Sequence, residues 1–417
     1  MPPLLSLECC CEEMDHARTK NFELIYGISG WDFSLGLRRG SVLRCSTCVD
    51  RTSYEPQDYD RPFKDNLSCL LYGAGHARFE DRPMPEITDP HDVLIRISYT
   101  GVCGSDVHFW KHGGVTRKVS EEEPLVMGHE ASGIVYSVGS EVTSLKPGDR
   151  VAIEPGFPCR RCKRCKAGKY NLCPAMRFAA DPPRTHGTLA RFFKIPDDFA
   201  YKIPDELSLE EAVLVEPLSV AVHGVRLADV RPGQSVLVLG SGTIGLLVAA
   251  TAKAFGAGSI FIADINEKKL EFAKGFLDCA TFVPALDASP EENAARFTKE
   301  LNLDDGVDVV LECTGVESSA RTGIYASAPG GVFVQIGMGK PDQTLPMGAI
   351  MQKETVVKAS FRYAPGDYDI ALGLLGSGKV SVKSLISSIV PFERATEAWD
   401  KTTNGEGIKN LIRGVQD

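Results

Sequence analysis

Cys103, in "GVCGSDVHFW", and His129 with Glu130, in "MGHEASG", bring together a thiol, an imidazole and a carboxylate. Zinc accepts each of these donors, and three protein ligands leave a coordination position open for a reacting oxygen. Glycines beside Cys103 and His129 would let backbone crowd such a site. The spacing alone does not separate a metal site from a structural His-Glu pair. A second cluster lies in "PGFPCRRCKRCKAGKYNLC", where Cys159, Cys162, Cys165 and Cys173 are separated by two, two and seven residues. These intervals allow four thiolates to meet one tetrahedral zinc, and a site closed in that way is structural. A disulfide pair is the alternative in an oxidising compartment. A nucleic-acid knuckle is another, with Arg160, Arg161, Lys163, Arg164, Lys166 and Lys169 supplying the charge.

Gly240, Gly242 and Gly245 form G-x-G-x-x-G directly after the apolar "VLVL". The first glycine permits a tight turn, the second lets backbone approach a pyrophosphate, and the third lets a helix lie close to a strand. The helix N-terminus then offers unpaired N–H groups to the anion. Asp264 closes "SIFIAD", nineteen residues past Gly245. A carboxylate there accepts from the ribose hydroxyls of NAD and repels the extra phosphate of NADP. Lys268 and Lys269 lie nearby and work in the opposite direction.

These residues need elements to hold them. "SCLLYGAGHARFEDRPMPEI" reads as a hairpin turned at Gly73 and Gly75. "DVLIRISYTGVCGSD", "GHEASGIVYSVGSEV", "GDRVAIEPG" and "GTLARFFKIP" are short strands punctuated by Gly, Pro and Asp, a pattern for a small β-barrel or sandwich. "LSLEEAVLVEPLSVAVHGV" reads as helix. After it, strands alternate with helices through "VDVVLECTG" and "GGVFVQIGMG", which means a parallel, doubly wound sheet. The tail from about Phe361 returns to a mixed pattern. Residues up to about Lys64 lack a sustained period and read as a disordered extension, in which Cys9, Cys10, Cys11, Cys45 and Cys48 are unliganded thiols.

A chain of 417 residues, at ~100–200 residues per domain, accommodates two domains and an appendage. The net charge of −9 argues against coating a polyanion, and the lack of interleaved aromatics argues against the knuckle. The basic residues would instead offset a doubly negative zinc–thiolate cluster. No apolar run approaches the ~18 residues of a membrane span. The first twenty residues lack the basic start of a signal peptide. Thirteen cysteines, an odd number, some at metal-ligand spacing, suit a reducing compartment, and a cytoplasmic location is expected.

From Asn66 onward the chain resembles the medium-chain, zinc-dependent alcohol/polyol dehydrogenases. The resemblance rests on "TGVCGSDVHFWKHG", "PLVMGHEASGIV", "KPGDRVAIEPG", "LVEPLSVAVHG", "GSGTIGL" and "ASFRYAPGDYD". It is strongest to the fungal members of the sorbitol/xylitol dehydrogenase branch. It implies an α/β plus β-rich fold: a GroES-like β-barrel catalytic domain over 66–216 and 362–417, and a Rossmann NAD-binding domain over 217–361. The extension, 1–65, lies outside it. By resemblance, Cys103, His129 and Glu130 hold a catalytic zinc, with Asp106 orienting His129. The four-cysteine lobe holds a structural zinc. Glu216 contacts the water or substrate at the metal, where simple alcohol dehydrogenases place a second cysteine. Ser105 and His108 match a proton relay to solvent. Arg362 and Tyr363 hold polyol hydroxyls. Phe109 stands where animal sorbitol dehydrogenases carry tyrosine and takes the corresponding substrate position without its hydroxyl. The cofactor would meet Gly240, Gly242, Ile244, Gly245, Asp264, Lys269, Ile336, Met338, Ser360 and Arg362.

The chemistry this implies is oxidation of a polyol to a ketose, xylitol to D-xylulose foremost, with sorbitol and L-arabinitol as neighbours. Zinc would polarise the substrate oxygen, and NAD would take the hydride. A homodimer or homotetramer is expected, with no nucleic-acid or membrane partner. A catalytically silent NAD-binding protein is the remaining alternative, and it has no need of Cys103, His129 and Glu130 together.

Overall fold

The computed structural model describes residues 65–114, 117–182 and 185–416. The expected extension, with Cys9, Cys10, Cys11, Cys45 and Cys48, lies outside the described residues, except that Asp65 already begins the first strand.

Asp65–Gly73 and His76–Pro83 form the expected antiparallel hairpin. Its turn needs Gly75 at φ 68°, a left-handed conformation that costs glycine little. Leu125–Val126 adds a third strand. The larger β unit is a seven-stranded sheet. Its main path runs Ala200–Lys202, Arg150–Ile153, Glu130–Val138, Asp92–Gly101, Lys409–Arg413, Ile386–Val390. Phe192–Pro196 also pairs with Asp92–Gly101. The chain therefore leaves this sheet near residue 202 and returns to it only at its C-terminal end. Lys409–Arg413 lies antiparallel beside Asp92–Gly101, with Leu411 opposite Gly101. Gly101 in turn faces Glu130 on the other side.

Between those visits the chain builds a six-stranded parallel sheet. Its order is Ala280–Phe282, Ser259–Ala263, Ser235–Leu239, Val307–Glu312, Ser327–Gln335, Val356–Ala359. In order of appearance this is 3-2-1-4-5-6, the arrangement that places a crevice beside the carboxyl end of the first strand. Both outermost strands escaped the sequence pattern. Ala280–Phe282 has three residues, and Val356–Ala359 exposes Val356 and Val357 on an open edge, so neither shows a buried period.

The helix Val215–Ala228 joins the two parts. Leu218, Ala221, Val222 and Val225 are fully buried and sit in one cluster with Val236, Val309 and Val334 of the parallel sheet. That cluster also takes in Ala152 of the β unit. An apolar helix buried on nearly all sides fixes the position of Glu216 in its first turn.

Candidate active site and metal centres

Cys103 is the N-cap of the helix Gly104–His112, and its extended backbone (φ −96°, ψ 157°) turns the strand into the helix. The Asp106 carboxylate accepts the Cys103 backbone N–H at 2.9 Å, closing the first turn. His129 and Glu130 enter from the next long strand. Gly128, at φ 88°, precedes them, and a Cβ on it would meet Thr100 Cγ2 at 2.7 Å. The ligand atoms of Cys103, His129 and Glu130 lie within 4.8 Å of one another. His129 is 8% exposed and Glu130 2%.

The electrostatics ask for a cation. Burial opposes charging of His129, but Asp106, Cys103 and Glu216 outweigh it and raise the imidazole to about 10. Nδ1 of His129 faces Asp106 Oδ1 at 3.7 Å, which leaves Nε2 as the nitrogen for a metal. Glu130 already has one cationic neighbour. Lys409, 3% exposed, forms an ion pair with Glu130 Oε2 and donates to Val102 O at 3.0 Å. Burial opposes the Lys409 charge, but Glu130 and Cys103 prevail and raise its pKa. Gly101 makes room for this pair, since a Cβ there would stand 2.3 Å from Glu130 Oε2. The donor set, its burial and its surplus of negative charge fit a divalent zinc with an open position.

Glu216 reaches the same spot from the helix Val215–Ala228. Burial raises it to about 7 against the pull of His129, and Glu130 pushes in the same direction as burial. Arg362 comes from the far side. Its guanidinium lies 3.7 Å over the Phe178 ring, and that ring is 5.6 Å from the His129 ring. Arg362 has φ 57°, the left-handed region that costs a non-glycine residue about 1–2 kcal/mol. Tyr363 is 2% exposed and close enough to Glu216 to favour the carboxylate. Its hydroxyl makes no well-aligned hydrogen bond among the described residues.

Other expected residues fall further out. Ser105 is half-buried on the first turn after Cys103. His108 is exposed, its ring 4.7 Å from that of His112. Phe109 packs into a core cluster with Leu71, Leu125, Met127 and Trp399.

Two residues of the site received no role from sequence reasoning. Lys409 is one. Glu154, in "RVAIEPG", is the other. It is fully buried, accepts from the Tyr170 hydroxyl, and accepts from the Tyr201 hydroxyl at 2.9 Å. Burial pushes it up to about 8, and Glu216 contributes to the rise. Its only signal in the sequence was a carboxylate at the end of an apolar strand.

The cofactor candidates gather at the carboxyl edge of the parallel sheet. Gly240 turns the chain at φ 99°, and Gly242 is the N-cap of the helix Thr243–Ala254. A Cβ on Gly245 would fall 1.8 Å from Gly240 O, so the helix rests directly on the turn. Asp264 accepts from the Ser241 N–H at 2.7 Å, the Ser241 hydroxyl at 2.8 Å and the Asn266 N–H at 2.9 Å. Ile244 is half-buried in the helix after the turn. Lys269 lies in the first turn of Glu267–Phe276. Ile336 and Met338 follow the strand Ser327–Gln335, the first nearly buried and the second 73% exposed. Ser360 follows Val356–Ala359, and its hydroxyl is buried without a partner among the described residues. Edge, glycine turn and helix N-terminus together fit a dinucleotide.

The four-cysteine stretch folds on itself. The helix Lys163–Lys166 and a single helical turn at Tyr170–Leu172 place all four sulfurs within 4.8 Å of one another. Sulfur–sulfur distances are 4.0 Å (Cys159–Cys165), 3.5 Å (Cys162–Cys165) and 3.8 Å (Cys162–Cys173). Tetrahedral Zn–S bonds of about 2.3 Å require sulfurs about 3.8 Å apart. No pair is bonded as a disulfide, and every described cysteine is a free thiol. Backbone N–H groups of Arg161 and Cys162 lower the Cys159 thiol to about 6. The geometry fits a closed tetrahedral zinc. Arg160 spends its charge on Asp198.

Residues 89–205 match the alcohol dehydrogenase GroES-like domain, and residues 243–377 match the zinc-binding dehydrogenase domain. A protein of Aspergillus fumigatus named probable D-xylulose reductase A is 54% identical over 352 residues, 84% of this chain and 98% of that protein. The chain belongs to the zinc-dependent medium-chain alcohol/polyol dehydrogenase family. Among solved structures, L-idonate 5-dehydrogenase from Escherichia coli matches with TM-score 0.76 and 27% identity, over 84% of this chain and 98% of that one. A zinc-binding dehydrogenase from Sinorhizobium meliloti bound to NADP matches with TM-score 0.73 and 26% identity, over 84% and 99%. The chain is accordingly an oxidoreductase acting on CH–OH donors, with a GroES-like domain and a Rossmann-type parallel sheet. No helix among the described residues is long and apolar enough to cross a membrane.

Proposed function

We propose that this dehydrogenase oxidises the secondary alcohol of a polyol to a ketose, xylitol to D-xylulose, with NAD as acceptor. The observation that carries the reading is the meeting of Cys103, His129 and Glu130 with Glu216, Arg362 and Tyr363 around one buried point. The name of the Aspergillus relative supports the substrate. A zinc held by the first three residues supplies Lewis acidity toward the substrate oxygen, and the nicotinamide supplies the hydride acceptor.

The chain's own residues do the rest. Asp106 sets the tautomer of His129. Arg362, Tyr363 and Glu216 offer one cation, one unpaired hydroxyl and one carboxyl to the hydroxyls next to the reacting carbon. A substrate lacking those hydroxyls would leave buried groups unpaired, which is how such a site selects a polyol. Ser105 and His108, on successive turns of the helix that Cys103 caps, lead a proton from the site toward the exposed His108 ring. Asp264 receives the ribose hydroxyls and disfavours NADP. The second zinc belongs to Cys159, Cys162, Cys165 and Cys173 and holds their lobe together. The free thiols suit the cytoplasm.

The test is initial-rate NADH formation over xylitol, sorbitol, L-arabinitol and ribitol, with NAD and NADP, on protein carrying two zinc ions per chain. Xylitol with NAD should give the highest kcat/KM, and both chelation and Cys103→Ala should abolish turnover. No activity with any polyol at full zinc loading overturns the reading.

A further inference from the structure

The turn at Tyr170–Leu172, between the third and fourth cysteines, makes two contacts outside its own lobe. Tyr170 donates its hydroxyl to the buried Glu154. Asn171, 7% exposed, donates Nδ2 to the carbonyl oxygen of Phe361 at 2.9 Å, across 190 residues of sequence. Phe361 immediately precedes Arg362, whose left-handed backbone is the strained link of the site. A non-glycine residue holds such a conformation only where its surroundings enforce it. The Asn171 amide grips the peptide that enters it.

We infer that Asn171 is a positioning residue for the polyol: it holds the Phe361 carbonyl so that Arg362 is presented over Phe178, toward His129 and Glu216. The lobe is well suited to this task. Cys173 caps the turn, its N–H donating to Tyr170 O at 2.8 Å, and Leu172 N–H closes onto Lys169 O at 3.1 Å. A turn tied to the four-sulfur cluster moves little, so the contact it makes with Phe361 is stiff. The lobe thereby acts on substrate choice from outside the reacting centre. The inference rests on the proposed role of Arg362 in holding polyol hydroxyls.

The test compares Asn171→Ala, Asn171→Asp and Arg362→Ala in the zinc-loaded full chain. Asn171→Asp keeps the shape and removes the donor, so it serves if the alanine variant does not fold. Each Asn171 variant should raise the KM for xylitol on the order of tenfold, with kcat within about twofold and the KM for NAD unchanged. Xylitol should also lose its thermal stabilisation of the NAD-bound enzyme, a readout independent of turnover. The Asn171→Ala, Arg362→Ala pair should be no worse than Arg362→Ala alone, because both changes act through one group.

A fall in kcat with KM unchanged, or an equal rise in the KM for NAD, refutes the inference. If Arg362→Ala raises the KM for xylitol and neither Asn171 variant does, the positioning role fails while the polyol reading stands. If Arg362→Ala leaves that KM unchanged, the proposed role of Arg362 fails and the inference falls with it.

Discussion

Replacing Lys409 with Met tests whether the site is built around a charge that zinc shares. The Lys409 ammonium and the Glu130 carboxylate are each 3% exposed, and they pair with each other. Methionine has similar length and no charge, so packing is largely kept. Without metal, the change removes the cation paired with Glu130 Oε2 inside a buried site. Breaking one side of a buried pair costs about 3–5 kcal/mol. In a chain of this size, that corresponds to a fall in thermal midpoint of roughly 3–7 °C. With zinc bound by Cys103, His129 and Glu130, a divalent cation takes over the missing charge, and the loss should shrink to less than half. By the thermodynamic cycle, zinc must then bind the variant more tightly than the parent. The assay is thermal denaturation of parent and Lys409→Met, each stripped with chelator and each reloaded with zinc. Equal destabilisation with and without zinc would mean that Glu130 is not a ligand. No destabilisation in the stripped protein would mean that the pair carries no buried charge. Either outcome refutes the reasoning.

Glu154 titrates in the opposite sense to a salt-bridged acid. Its folded value of about 8 lies above the ordinary 4.5, so the native state keeps a proton that the unfolded chain releases. The stability this confers is full below about pH 4.5, declines as pH rises, and is lost above about pH 8. Glu154→Gln should flatten that part of the profile of urea midpoints between about pH 5 and pH 8; parallel profiles would reject the assignment. Asp264→Ala removes the carboxylate proposed to receive the ribose hydroxyls, and kcat/KM should fall on the order of tenfold with NAD while rising with NADP. Steady-state kinetics with the two cofactors decides it. Cys162→Ser opens the four-thiolate centre, so metal analysis should find one zinc per chain instead of two, with a thermal midpoint lower by roughly 5 °C or more. Retention of two ions would show that the four sulfurs do not share one.

What the sequence disclosed depended on how local each demand is. The glycine turn could be read because each glycine answers a backbone requirement within a few residues: φ 99° at Gly240, and the 1.8 Å approach that any Cβ on Gly245 would make. The four cysteines could be read because one loop brings them together. Lys409 could not. In "GIKNLIRG" it looks like the solvent-facing position of a strand, and its partner lies 279 residues away. Only the antiparallel seating of Lys409–Arg413 beside Asp92–Gly101 turns it toward Glu130. Glu154 has the same difficulty, since its carboxyl is defined by Tyr170 and Tyr201 and not by its own strand. Phe109 was expected at the substrate through its place in a motif, and the structure shows its ring packed among core side chains.

The two metal centres differ in this respect for a physical reason. A closed site needs nothing but four soft donors at tetrahedral distance, so a short loop can encode it in its spacing. An open site has to present an uncovered coordination position to a substrate and a cofactor, and no single segment can do so. Here Cys103 comes from a helix start and His129 and Glu130 from a strand start. Glu216 comes from the first turn of a buried helix, and Arg362 from the far end of the parallel sheet. Each was individually visible as a residue type, but Cys103 meets Glu130 only through the pairing of Asp92–Gly101 with Glu130–Val138. The return of the C-terminal strand to the β unit carries in Lys409, the positive charge that offsets Glu130. It follows that a change weakening the register of Lys409–Arg413 against Asp92–Gly101 should disturb the open centre before the closed one, because the four-cysteine lobe shares no strand with that sheet.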